Sequence, residues 1–328
     1  MRIGINPMNE KSLSVARGYH RIIMPVFIPY LDNYYSESFE VLRLSCTTLL
    51  QSVHNETLIT IINNNSCNTV TDYLRKLLEE KKIDQLIEFK ENKGKVDPVV
   101  AIMRSSQEKL ITITDCDVLF KYGWQCAVEE IFFRIPHVGM VSPLPAPAIN
   151  KYFSVWSWYA GITKRCLYKL RETDQKSIYL FNKSIGVDRE LLEIEKHPFA
   201  ISIRGCKAVI GSGHFCATYN RNVVNYIPRT SSGVHFKGAE KEFLDKPVQD
   251  GGFLRLATNK GWVFHMGNSV EDWMNEVAEQ NKKSTEEPRE IYISRGYRFS
   301  PFFKKILIKI LSSKRLLDFI EKRIRFEN

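Results

Sequence analysis

The sequence has no Cys-X-X-Cys pair, and its seven cysteines are an odd number. That argues against a disulfide framework and against a cysteine-rich zinc site, and it fits a reducing compartment such as the cytosol. No Gly-X-Gly-X-X-Gly follows the first apolar strand, and Gly-X-X-X-X-Gly-Lys-Ser/Thr occurs nowhere. A dinucleotide site and a P-loop are therefore not expected, and any phosphate has to be neutralised by a metal and basic side chains. No apolar run approaches the ~20 residues needed to span a bilayer. The longest candidate, Ile22 to Leu31, is half that length and holds two prolines. No signal peptide is visible, and the polar, mixed stretch 1–20 is expected to be flexible.

What is present is the composition of an ordinary soluble globular chain, 44% hydrophobic and 26% charged over 328 residues, long enough to bury a large core. The net charge of +10 points to an acidic partner. It is unevenly spread: residues 301–328 hold eight Lys or Arg against three acids, half of the excess. Because the basic excess lies mostly in the tail and the buried-looking acids lie in the centre, a nucleic-acid partner is not expected. The tail shows Phe303, Ile306, Ile310, Leu317, Ile320 and Ile324 at helical spacing. It reads either as a helix that docks on an anionic membrane surface or as one packed on the domain with a solvated basic face.

From Ile22 the pattern alternates. Apolar runs at 22–31, 58–62, 83–89 and 110–113 read as strands, separated by helical periodicity at 38–53, 70–82 and 98–106. Such β-α alternation predicts an α/β fold with a Rossmann-like, mostly parallel central sheet flanked by helices, and a binding crevice at the carboxyl ends of the strands. Three strand ends carry polar punctuation: Pro29-Tyr30-Leu31-Asp32, Asn63-Asn64-Asn65-Ser66 and Asp115-Cys116-Asp117. Parallel strands bring all three to one edge. The triple Asn marks a tight turn, since Asn tolerates left-handed backbone angles. Two carboxylates one residue apart repel and are costly to desolvate unless a cation or water reaches both. Asp115-Cys116-Asp117 therefore reads as a divalent-metal site for a diphosphate, or as a solvated turn.

The second half is harder to read. Gly123–Phe133 is predicted helical and Val138–Ser142 a strand, followed by a proline-rich turn. The aromatic stretch 154–159, with Trp158, lines a pocket or belongs to the core. Gly211-Ser212-Gly213-His214-Phe215 reads as a glycine turn opening into a strand. Gln249-Asp250-Gly251-Gly252 is expected to lead into a short helix with apolar residues at 253, 254, 256 and 257. Gly261–Asn268 is a strand ending in His265-Met266-Gly267.

In this order, these segments together with Asn92-Lys93-Gly94-Lys95 resemble a family-2 glycosyltransferase with the GT-A fold, over roughly residues 22–270. The resemblance implies a glycosyltransferase domain at 21–280, with a nucleotide-sugar half at 21–120 and an acceptor half at 121–280. A basic helical extension at 281–328 follows. It implies a nucleotide-diphosphate sugar donor, a UDP-sugar by expectation, and a Mn²⁺ or Mg²⁺ ion. The acceptor would be a hydroxyl of a glycan or lipid-linked molecule, with inversion, as in bacterial surface polysaccharide synthesis. The setting would be cytoplasmic, peripheral to the inner face of the membrane.

Residue by residue, the resemblance puts the nucleotide against Pro29, Tyr30, Asp32, Asn63, Asn64, Asn92, Gly94, Lys95 and Asp115. It puts the metal on Asp117 with Asp115, and on His265 as a further ligand. Asp250 would be the general base, with Asp245 and Glu240 as other candidates; Asp250 also reads as a helix N-cap. Gly213 and His214, with Trp158, would face the acceptor. The chain departs from the family pattern where Asn63 replaces an acid, Asn65 a glycine and Gln249 an acid, and where an Ala-Arg-Asn after Lys95 is missing. A sugar-phosphate nucleotidyltransferase and a non-catalytic nucleotide-sugar-binding relative are the alternative readings.

Overall fold

A computed structural model describes residues 18–233, 238–281, 284–285, 287–288, 291 and 293–327. Most of the segment expected to be flexible, residues 1–17, lies outside them. Tyr19 and His20 at its end are buried in the fold.

Among the described residues the strands are β1 (His20–Val26), β2 (Thr57–Asn63), β3 (Gln85–Glu88), β4 (Leu110–Thr114), β5 (Val118–Phe120), β6 (Val138–Ser142), β7 (Leu167–Lys169), β8 (Phe199–Ile203), β9 (Cys206–Ile210), β10 (Cys216–Asn220), β11 (Leu254–Ala257) and β12 (Val263–His265). Ten of them form one sheet in the order β3-β2-β1-β4-β10-β6-β11-β9-β8-β7, and β5 and β12 form a two-stranded ribbon. The fold is α/β, as the alternation predicts.

The block β3-β2-β1-β4 is wholly parallel. Helices α1 (Ser38–Ser52), α2 (Asn68–Glu79) and α3 (Val96–Ser105) connect its strands in turn. Its inner strands β1, β2 and β4 are largely buried, which is why they read as continuous apolar runs: every residue of β4, Leu110-Ile111-Thr112-Ile113-Thr114, is buried; β3, at the edge, is not. The register pairs Val26 with Asn63 and Ile23 with Ile113, so the strand ends do meet at one edge. Strand β1 stops at Val26, five residues before the predicted end, and the chain from Pro29 onward leaves the sheet.

The other half is mixed. Strand β10 runs antiparallel to β4, with Cys216 opposite Thr114, and so delivers the 211–215 turn to the Asp115 end of β4. Strand β11 is parallel to β6 and antiparallel to β9. Residues 254–257 are thus a strand and not the predicted helix. A short, fully buried apolar run has no periodicity to separate the two, and the interruption at Arg255 suggested a helical face.

The remaining helices are α4 (Trp124–Arg134), α5 (Val155–Thr163), α6 (Gln175–Ser184), α7 (Glu193–Lys196), α8 (Lys246–Asp250), α9 (Asp272–Gln280), α10 (Pro301–Leu311) and α11 (Lys314–Glu321). The aromatic stretch forms α5 and belongs to the core. Trp156 and Trp158 are fully buried, and their indole N–H groups donate to the Gln249 and Asn150 carbonyls at 2.6 and 2.9 Å. A buried indole with its one donor satisfied is a packing residue; Trp158 faces Phe199, not an acceptor.

The tail is docked on this half. Phe299 stacks on Trp156 at 5.6 Å, and the Lys304 ammonium donates to the Asp250 carbonyl. Lys151 pairs with Asp318 and Glu321 at 2.7 and 2.9 Å, and the chain end at 325–327 hydrogen-bonds along β7.

Candidate active site

At the shared edge of the parallel block lies a crevice of about 280 Å³ lined by Pro25, Val26, Phe27, Asn64, Asn92, Gly94, Lys95, Asp115, Cys116 and Asp117. A larger cavity of about 440 Å³, between α11 and β8, is remote from these groups. Asn64 builds the crevice wall. Its amide nitrogen donates to Asn92 Oδ1 at 2.7 Å and to the Gly94 carbonyl at 3.0 Å, and its oxygen accepts from Lys93 N–H at 2.8 Å. Gly94 turns the loop with φ of 75°, a value that favours glycine. Lys95 is thereby held over Asp115, with which its ammonium forms an ion pair, and 3.8 Å from Glu240. Burial pulls the Lys95 pKa down, but the charges of Asp115, Glu240 and Asp117 outweigh it and hold the ammonium above its usual range.

Asp117 and His265 come together through the small ribbon. His265 pairs with Val118, and the Met266 N–H donates to the Asp117 carbonyl at 2.8 Å. His265 Nε2 lies 3.4 Å from Asp117 Oδ2, beyond good hydrogen-bonding range, while Nδ1 is held by Ser184 Oγ at 3.0 Å. Asp117 Oδ1 is enclosed and has no hydrogen-bond partner. Burial pushes the Asp117 carboxyl up; His265 opposes this, and Asp115 adds to it. An orphaned carboxylate oxygen beside an imidazole oriented from its far nitrogen fits a hard divalent cation with open positions for phosphate oxygens.

Other predicted residues lie differently. Asn63 is tied into its own turn: its amide donates to Thr71 Oγ1 at 2.9 Å, and its oxygen accepts from Ser66 N–H at 3.0 Å. Asn65 takes the left-handed conformation, φ 69°. Pro29, Tyr30 and Asp32 follow the end of β1 and do not line the crevice; Tyr30 packs edge-on against Tyr35. Pro25 to Phe27 take their place, which the overlong strand prediction hid. Close backbone approach belongs to Gly211 rather than Gly213. A Cβ on Gly211 would lie 2.4 Å from the Ala146 carbonyl at φ 119°, whereas one on Gly213 meets only Phe215 at 3.5 Å.

Asp250, the predicted base, is not in the crevice. Its charged neighbours are Lys246, Lys304 and Glu242, and burial raises its pKa. The helical stretch before it contains a π turn at Lys241–Asp245. One inserted residue rotates the side chains after it by about 100°, so that Asp245 faces inward and Asp250 does not; Glu240, ahead of the turn, lies beside Lys95. Asp245 is fully buried, with Arg255 Nη2 3.1 Å from Oδ1 and His214 Nδ1 3.4 Å from Oδ2. Arg255, also fully buried, is fixed by the carbonyls of Tyr152 and Ser212 at 3.0 and 2.5 Å. His214 remains 43% exposed in its side chain. It stands one residue before Phe215, whose carbonyl accepts from Asp115 N–H at 2.7 Å, so it flanks the carboxylate pair. The Asp245–Arg255 pair is absent from the sequence pattern because its members are ten residues apart across a turn.

No family model matches the chain, and no curated protein matches it. Solved structures do. A mannosyltransferase from Pyrobaculum calidifontis, PcManGT in complex with GDP-Man and Mn²⁺, is 13% identical over 74% of this chain and 57% of that one, with a TM-score of 0.42. S. aureus TarS 1–349 is 10% identical over 76% of this chain and 60% of that one, with a TM-score of 0.43. GalNAc-T7 with UDP, GalNAc and Mn²⁺ is 9% identical over 75% of this chain and 43% of that one, with a TM-score of 0.45. The chain thus spans three-fifths or less of the length of these neighbours.

Proposed function

We propose that the chain is a metal-dependent glycosyltransferase that moves a sugar from a nucleoside-diphosphate sugar to a hydroxyl of a glycan or lipid-linked acceptor, with inversion. The observation that carries this reading is the enclosed, unpartnered Asp117 Oδ1 beside His265, on the same sheet edge as Lys95 and Asp115. Residues 21–120 supply the nucleotide-sugar half and 121–280 the acceptor half.

Asp117 and His265 would hold Mn²⁺ or Mg²⁺, with Asp115 beside them. When bound, such a cation stabilises the negative charge that builds on a departing nucleoside diphosphate. Lys95 leaves Asp115 for the phosphates, an exchange of one anionic partner for another that keeps its charge buried and paired. On the acceptor side His214 takes the hydroxyl proton, with Asp245 behind Nδ1 to orient the ring and stabilise the imidazolium. Arg255 balances the Asp245 charge. Glu240, held by Lys95, stays on the donor side.

A panel of UDP- and GDP-sugars tested by thermal shift, with and without Mn²⁺, checks the reading. A donor that raises Tm only with the cation, and does so no longer in Asp117→Ala, is the expected result. No cation-dependent response to any donor, or one unchanged by Asp117→Ala, overturns it.

A further inference from the structure

Among the described residues no helix is long and apolar enough to cross a membrane. Helix α10, of 11 residues, is about 16 Å long by its rise. Its inner face is well packed: Leu311 is buried, and Lys304 reaches back to the Asp250 carbonyl. Its outer face is not that of a solvated helix. Phe302 (76% exposed), Ile306 (36%) and Ile310 (47%) recur at four-residue intervals and form one apolar strip. Phe303, half exposed, widens it. Lys305 and Lys309, both exposed and themselves four apart, run along the strip's flank. Residues 301–311 contain no acid at all.

In helix α11 and the two residues after it, the charges divide between the domain and the surface. Its two acids, Asp318 and Glu321, are paired with Lys151 of the domain. Arg315, Phe319, Lys322 and Arg323 remain exposed, and the Arg323 guanidinium lies over the Phe319 ring at 3.5 Å. Acids tied to the domain, with exposed cations beside exposed apolar and aromatic side chains, leave apolar surface in water that a solvated basic face does not need.

We propose that the outer face of α10, extended by the exposed cations of α11, is a peripheral docking surface for an anionic phospholipid bilayer. The apolar strip of Phe302, Ile306 and Ile310 enters the headgroup boundary, and Lys305 and Lys309 meet the lipid phosphates. The helix lies in the interface plane and is too short to span it. Charge decides for lipid over a second copy of the chain, because two such faces would place like charges together. The sequence left open whether the tail docks or packs; the structure has α10 packed by one face while the other carries the lipid-facing pattern. The proposal stands apart from the crevice and does not rest on its reading as a transferase.

Co-sedimentation of the full chain with phosphatidylcholine vesicles, with and without phosphatidylglycerol, tests it. Binding is expected only to the anionic vesicles, and raised salt weakens it. Lys305→Glu/Lys309→Glu weakens it by about tenfold or more, and Phe302→Ser/Ile306→Ser/Ile310→Ser abolishes it while leaving Tm in place. No binding to anionic vesicles, equal binding to neutral ones, or unchanged binding by either variant overturns the proposal. So does a dimer, seen by light scattering, that the serine variant dissolves.

Discussion

Two buried polar networks lie in the sheet, one in each half, and they are built to opposite standards. At the amino-terminal ends of the parallel strands, His20 bonds Glu129 and Thr112 at 2.8 and 2.7 Å, and His54 bonds the same Glu129 oxygen at 3.1 Å. Gln125 closes the set through Thr57 and the His54 N–H. Although these three ligand-type residues cluster, each group has a protein partner, and the cluster reads as a polar core far from the crevice. In the mixed half, Asp245 has Arg255 and His214 nearby but no hydrogen bond to either carboxylate oxygen, and Arg255 Nε is likewise unpartnered. A satisfied network fixes a fold; an under-satisfied one next to an exposed imidazole is poised to act on something else.

The sharpest way to break this contrast is turnover. Once a donor is identified, Asp245→Asn and His214→Gln should each lose about 10²- to 10⁴-fold in kcat, the usual worth of a positioned base, while Asp250→Asn keeps near-parental turnover. Full activity in Asp245→Asn with loss in Asp250→Asn would return the base to the residue the sequence first suggested. Next in size is stability. Arg255→Met leaves the Asp245 charge buried and alone and should cost about 3–5 kcal/mol in urea unfolding. A loss under ~1 kcal/mol would mean that water already reaches Asp245.

The smallest effect is a pH dependence of the satisfied network. Burial holds His20 below its ordinary 6.5, although the Glu129 hydrogen bond and charge oppose it. Burial alone would raise Glu129, but the two imidazoles bring it below its ordinary 4.5. Both groups therefore bind protons more readily when unfolded. Their contribution is present above about pH 6.5, weakens as His20 of the unfolded chain protonates, and weakens further below 4.5. Urea midpoints of the parental chain and His20→Asn, compared from pH 8 to 4, should converge as pH falls. Parallel curves would remove His20 from the account.

How much of this was legible in the sequence depends on the same division. Strands buried on both faces announce themselves by apolar runs, so β1, β2 and β4 and their common edge could be read, and with them Asn64, Lys95, Asp115 and Asp117. The mixed half hides its logic. Arg255 interrupts β11 as a surface residue would, yet it is fully buried because Asp245 and two carbonyls receive it. The π turn at Lys241–Asp245 changes which acid faces inward, and nothing in residue spacing marks it. Trp158 and Gly213 carried plausible chemistry, but packing and backbone geometry gave the corresponding roles to the core and to Gly211.

The side chain of Asn64 has a consequence for selectivity. Both of its amide hydrogens and its oxygen are taken by the loop that carries Lys95. An amide so occupied is a girder and has little left with which to read the edge of a base. For the nucleotide donor proposed above, discrimination would then fall to the main chain of Pro25 to Phe27 and to the shape between it and Cys116.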